Sequence, residues 1–189
     1  MKISQVQNAI YVGEVIDARK EYSGTRYVRY SRKLALEYDS SFPKNFKRKH
    51  VSMVYIITID DVIYKIGQSS AEDGISGCMN FYMCAGQDDP GQNRFMINYL
   101  MREQRDLGKI IKIYFIYKDQ IQVVVPGLNG EELVWTPVSA KSIEELCLRQ
   151  YEKVESNFPK WNFQENGEKI PQHIEEEFAD YKKKRSKKN

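Results

Sequence analysis

The sequence predicts an α+β domain: a small, mostly antiparallel sheet flanked by helices, preceded by an N-terminal extension. Two apolar, β-branched runs, Met53–Ile59 and 62–66, are separated only by Asp60-Asp61, which reads as a hairpin. Two further runs of that kind cover 110–117 and 121–125. Two segments instead carry apolar residues at helical spacing, and strands and helices in this order fit a single-layer sheet covered by helices. The 189 residues, 41% of them hydrophobic and 29% charged, are enough for one domain with a real core.

Taken in order, residues 1–50 read as the extension. Strands are expected at 11–16 and 22–30 and a short helix at 31–38, before Pro43 and a basic linker. The hairpin opens a core spanning 51–165. The stretch 68–91 holds four glycines, Pro90 and four acids, and reads as a long loop. From 92 to 107, Phe95, Met96, Tyr99, Leu100 and Leu107 make a helical stripe that Gly108 stops. Strands at 110–117 and 121–125 follow, then a turn over 126–130 and a fifth strand at 132–136. A second helix at 139–154 has the stripe Ile143, Leu146, Cys147, Tyr151 and Val154. Residues 166–189 form a C-terminal helix and a basic tail.

Several function classes are excluded. His50 and His173 have no Cys or His partner at zinc spacing. There is no Gly-rich loop ending in Lys-Ser/Thr and no Gly-x-Ser-x-Gly elbow, which argues against an NTPase and a serine hydrolase. Three scattered cysteines read as reduced thiols. No run reaches the ~20 apolar residues of a membrane span, and the start lacks the apolar stretch of a signal peptide, so an intracellular location without membrane contact is expected.

Charge is unevenly laid out. The net +3 arises from six basic residues among the last eight positions, and the remainder is net −3. Two further basic clusters alternate with aromatics, one containing Arg26, Arg29, Arg32 and Lys33, the other Lys47, Arg48 and Lys49. Cations beside rings suit phosphate contact and base stacking, so these seven residues are candidate DNA contacts.

Val54-Tyr55-Ile56 followed by Tyr64-Lys65-Ile66-Gly67 resembles the paired hairpin motifs of the GIY-YIG nuclease superfamily, in the Lys form of the second motif. Arg94, Glu144 (or Glu145) and Asn162 stand where the family has its arginine, glutamate and terminal asparagine. The resemblance implies a metal-dependent DNA endonuclease, of restriction or phage type. Tyr55 would orient or deprotonate the water, Lys65 would bind phosphate or lower the pKa of Tyr55, and Arg94 would hold the scissile phosphate. Glu144 would bind one Mg²⁺ or Mn²⁺. Arg102 and Arg105 are rivals for the arginine, lying later in the helix. Double-stranded DNA is the implied partner. A type II restriction enzyme acting on a symmetric site implies a homodimer. A non-catalytic DNA-binding module of this fold, a protein-interaction domain, and a phage, homing or repair nuclease are the alternatives.

Two points can be argued from residue geometry. On a helix, Glu144 borders the apolar stripe centred on Ile143, whereas Glu145 points away beside Arg149 and Glu152 and forms a capping box with Ser142. A regular two-residue hairpin pairs Tyr55 with Ile66 and sends Lys65 to the opposite face. Only an odd-length turn or a bulge pairs Tyr55 with Gly67, so the nuclease reading requires one of these.

Overall fold

The structure is a computed structural model that describes residues 1–17, 34–83 and 90–186. Arg26, Arg29, Arg32 and Lys33, and the strand expected at 22–30, lie outside the described residues. The elements in chain order are β1 (Ile10–Asp17), β2 (Leu34–Tyr38), β3 (Met53–Ile59), β4 (Val62–Ser69), α1 (Gly74–Met83), α2 (Gln92–Asp106), β5 (Ile111–Tyr117), β6 (Gln120–Gly127), β7 (Gly130–Pro137), α3 (Ala140–Glu155) and α4 (Gln172–Ser186).

Five strands form one antiparallel sheet in the order β2-β1-β5-β3-β4, so the fold class is the expected α+β. Every residue of β3 is buried, because both faces of the sheet are covered. On one face Tyr55, Ile57 and Phe115 pack with Met79 of α1, Phe95 and Ile97 of α2, and Tyr181 of α4. On the other, Val54, Ile56 and Ile66 pack with Leu148 and Tyr151 of α3. The alternation along β3 thus supplies two cores, which is why the run reads as continuously apolar.

Two expectations are corrected. The helix expected at 31–38 is, over Leu34–Tyr38, strand β2, paired in antiparallel register from Gly13↔Tyr38 to Asp17↔Leu34. Leu-Ala-Leu-Glu-Tyr has good helix formers and no β-branched residue, and tertiary pairing overrides that local preference. The loop expected at 68–91 contains α1. Gly74 and Gly77 weaken the helical signal, yet Ile75, Cys78, Met79 and Met83 form a buried stripe at helical spacing. Gly74 has φ +58 and sits against the Lys49 carbonyl, a left-handed, crowded position suited to glycine.

The β3–β4 hairpin has a two-residue turn, Asp60-Asp61, with φ 47° and 65°. Both aspartates tolerate this left-handed pair, whose twist matches that of the strands. Lys109 and Lys112 hold them at 2.8 and 3.0 Å. The ladder nevertheless shifts: Thr58 pairs with Ile63 but Ile57 with Lys65, leaving Tyr64 as a bulge. Tyr55 therefore pairs with Gly67, and Tyr55 and Lys65 share a face.

Candidate active site

Beyond β4 the main sheet has an open edge, and the chain closes much of it with 159–162. The Trp161 N–H donates to the Tyr64 carbonyl at 2.8 Å. The fully buried Asn162 amide then stands in for a strand: its oxygen accepts the Ile66 N–H at 3.0 Å and its nitrogen donates to the Ile66 carbonyl at 2.9 Å. Asn162 thus satisfies the backbone directly beside Lys65. Replacing it with leucine leaves the Ile66 N–H unpaired and its carbonyl with only the long 3.4 Å contact from the Lys65 ammonium, and should lower stability by about 1–3 kcal/mol. A urea titration that leaves the midpoint unchanged would show that Asn162 does not support the edge.

A cleft of about 530 Å³ opens at this edge, lined among others by Tyr55, Lys65, Gly67, Gln68, Tyr82, Glu144, Trp161 and Glu165. Three of the residues singled out in the sequence, Tyr55, Lys65 and Glu144, therefore meet. The bulge turns Tyr55 and Lys65 to one side. Glu144 arrives from α3, on the other face, and reaches the cleft around the strand edge, where its carboxylate accepts the Gln68 backbone N–H. Gly67 is required by close approach: the Tyr55 ring lies across it, and a Cβ there would overlap the ring and its hydroxyl.

Tyr82 is a cleft residue that the sequence reading missed, because it falls on α1. Its hydroxyl lies 2.5 Å from that of Tyr55. Asn98 of α2 positions it, donating to the Tyr82 carbonyl at 2.7 Å near the end of α1. The i, i+3, i+4 apolar stripe from Ile75 is the signal that could have placed Tyr82 on a helix.

The electrostatics are set by burial. Burial pushes the Tyr82 phenol up to about 12. It pushes Tyr55 well above its ordinary value too, with Tyr82 adding to the effect. Both phenols are therefore neutral at neutral pH, hydrogen-bonding groups rather than standing phenolates. Burial lowers Lys65, against the pull of Glu165 and Glu144. Burial raises Glu144; Lys65 opposes this and Glu165 adds to it. Among the cleft-lining residues one lysine, Lys65, stands against Glu144, Glu165 and Glu168.

The other candidates lie elsewhere. Arg94 is not among the cleft-lining residues. Its Nε donates to the Phe81 carbonyl and its guanidinium sits 4.7 Å from the Phe81 ring centroid. Its neighbour Asn93 lines the cleft instead. Glu145 is exposed and lies 3.9 Å from Lys141. The capping box expected for it does not form, since α3 begins at Ala140 with Ser139 as its N-cap, putting Ser142 inside the first turn. Lys47 lies 3.9 Å over the Tyr38 ring, Lys49 pairs with Asp119 at 2.7 Å, and Arg48 is exposed. Their segment is joined to α1 by the Ser76 N–H, which donates to the Lys47 carbonyl at 2.9 Å.

The donor set suits a hard cation with few protein ligands. Among the described residues no group of three His, Cys, Asp or Glu is placed to hold a metal ion. A single half-buried carboxylate in an electron-rich cleft fits Mg²⁺, which takes one or two carboxylates and keeps several waters.

No family model and no curated protein matches the chain. Among solved structures, it is similar to restriction endonuclease HPY188I in complex with product DNA, with a TM-score of 0.44 and 14% identity over 84% of each chain. It is also similar to EndoII of bacteriophage T4, with a TM-score of 0.38 and 17% identity, over 64% of this chain and 83% of that one.

Proposed function

We propose that the chain is a metal-dependent DNA endonuclease of the GIY-YIG kind, hydrolysing phosphodiester bonds in a type II restriction role as a homodimer. One observation carries this reading: the bulge at Tyr64 brings Tyr55 and Lys65 to one side of a cleft that Glu144 enters from the opposite face. Phosphodiester hydrolysis needs an oriented water and compensation for charge on the phosphoryl oxygens. The neutral Tyr55 phenol, braced by Tyr82, accepts a hydrogen bond from the attacking water and fixes its direction. Lys65 supplies a cation beside the phosphoryl oxygens. Glu144 would hold Mg²⁺ or Mn²⁺, and a divalent ion there supplies Lewis acidity. Gly67 keeps the path to Tyr55 clear.

Supercoiled-plasmid cleavage with Mg²⁺ or Mn²⁺, against EDTA, tests this. Discrete products from the wild type and from Glu145→Ala, absent with EDTA, are the expected result.

A second reading, a DNA-binding module of the same fold without cleavage, is favoured by Arg94, which lies against Phe81 and is not among the cleft-lining residues. Retarded but uncut DNA under every metal condition would establish that reading in place of the first.

A further inference from the structure

Helix α1 buries Ile75, Cys78, Met79 and Met83 along one stripe, and Tyr82 packs on the same side. Phe81 falls about 100° round the helix from Tyr82, off that stripe, and is 50% exposed. A single exposed aromatic needs no explanation by itself. This one is held in place. The Tyr82 ring meets it edge-on, with centroids 5.3 Å apart and an interplanar angle of 82°. The Arg94 guanidinium sits 4.7 Å from its centroid, and the Arg94 Nε donates to the Phe81 carbonyl. That second contact is to backbone and does not require the ring.

Their place in the fold turns the pair toward the cleft. Tyr82 and Asn93, the chain neighbours of Phe81 and Arg94, both line it, so the pair stands at its rim. Ring follows ring from the cleft to that rim, Tyr55 to Tyr82 at 5.6 Å and then Tyr82 to Phe81. Nucleotides in a strand follow one another at about 3.4 Å, so a strand with its phosphate in the cleft brings a neighbouring base to Phe81. A flat apolar face with a cation beside it matches the chemistry of a nucleotide, whose base stacks while its phosphate meets the guanidinium.

We propose that Phe81 stacks on a base of the DNA strand next to the phosphate in the cleft, as a wedge that selects locally unpaired DNA. The inference rests on the DNA-nuclease reading and adds to it a substrate contact and a preference among DNA forms. Bases inside a duplex are already stacked on one another, so the ring gains a partner only where a base leaves the stack. Wedging apolar side chains between bases carries an unstacking cost, and that cost is least at a mismatched or unpaired base.

Fluorescence anisotropy of the full chain, in EDTA and separately with Ca²⁺ in place of Mg²⁺, compares a short paired duplex with the same duplex carrying central thymine–thymine mismatches. The wild type should bind the mismatched duplex at least about fivefold more tightly, the lower end of base–aromatic stacking. Phe81→Trp should keep that preference. Phe81→Leu, apolar but without a π face, and Phe81→Ala should lose it, with circular dichroism and salt dependence unchanged, since the ring carries no charge. Equal binding of the two duplexes by the wild type overturns the proposal and leaves the DNA reading standing. A preference that survives in Phe81→Leu and Phe81→Ala does the same. A salt slope that falls by about 1 in Phe81→Leu assigns the loss to a phosphate contact of Arg94 and overturns the stacking role. Binding of neither duplex under either condition overturns the stacking and the DNA reading together. A preference that depends on Phe81, in a chain that cuts no DNA with Mg²⁺, upholds the stacking and overturns cleavage alone.

Discussion

Replacing Glu144 with glutamine is expected to lower cleavage by at least about a hundredfold, on the scale seen when a group that stabilises transition-state charge is removed, while making the metal-free protein more stable at neutral pH. The second half follows from linkage. Burial, with Glu165 adding to it, raises Glu144 above its ordinary value of 4.5, against the opposing pull of Lys65. A carboxyl whose folded pKa is raised stabilises the fold while protonated, and that contribution is lost as pH rises through the folded pKa. Once the carboxyl is ionised that contribution is gone, and the neutral glutamine avoids the loss. Thermal unfolding with EDTA should therefore give a higher Tm for Glu144→Gln than for the wild type. Added Mg²⁺ should raise the Tm of the wild type alone, since an ion that binds only the native state stabilises it. The same raised pKa moves the acid limb of the pH–rate profile above that of an ordinary glutamate. If Glu144→Gln melts earlier than the wild type in EDTA, the carboxylate is a structural partner rather than a strained ligand.

Removing the Tyr55 hydroxyl is the other large effect. Tyr55→Phe should lower kcat by about 10²–10⁴-fold, the range for a positioned group acting on the attacking water. Tyr82→Phe, which leaves Tyr55 in place but removes its brace, should cost about tenfold, because about 1.4 kcal/mol of orientation is the scale of one neutral hydrogen bond. Gly67→Ala supplies an independent arm. It keeps the hydroxyl but drives a methyl group into the space of the Tyr55 ring, so kcat should fall as it does in Tyr55→Phe. With Tyr82 pushed up to about 12 and Tyr55 raised well above its ordinary value, neither of these two phenols ionises between pH 7 and 10. A rate that climbs tenfold per pH unit across that interval would mean a phenolate is the active form. Equal kcat for Tyr55→Phe and the wild type would remove Tyr55 from the reaction altogether.

The hairpin shows how far sequence reasoning reaches. Residue alternation alone says that Tyr55 and Lys65 share a face only if the ladder slips by one, and the bulge at Tyr64 is that slip. Helix periodicity alone separates Glu144 from Glu145, one lining the cleft and the other exposed and facing Lys141. In both cases the decisive quantity is a local period, two for a strand and 3.6 for a helix, which the order of residues carries without tertiary information.

Tyr82, Arg94 and Asn162 show where it stops. Tyr82 sits 27 residues from Tyr55, on a helix whose signal Gly74 and Gly77 dilute, and its place beside Tyr55 depends on α1 packing into the core and on Asn98 holding the end of that helix. Arg94 begins its helix where expected, but its guanidinium is engaged by the ring and carbonyl of Phe81, a residue 13 positions earlier. Asn162 has the residue type expected of the site, yet its amide is spent on the Ile66 backbone, 96 residues away.

The order of residues is sufficient to specify the strands of the central hairpin and to set Glu144 rather than Glu145 toward the sheet, because each depends on neighbours a few positions apart. The slip at Tyr64 and the exposure of Leu146 and Val154 on α3 emerge only in the structure. Which helix braces Tyr55, where the Arg94 guanidinium goes and what covers the edge of β4 depend on the packing of segments distant in the chain. Those outcomes are decided by complementary burial and by backbone groups left unpaired at a sheet edge, and neither exists until the chain has folded.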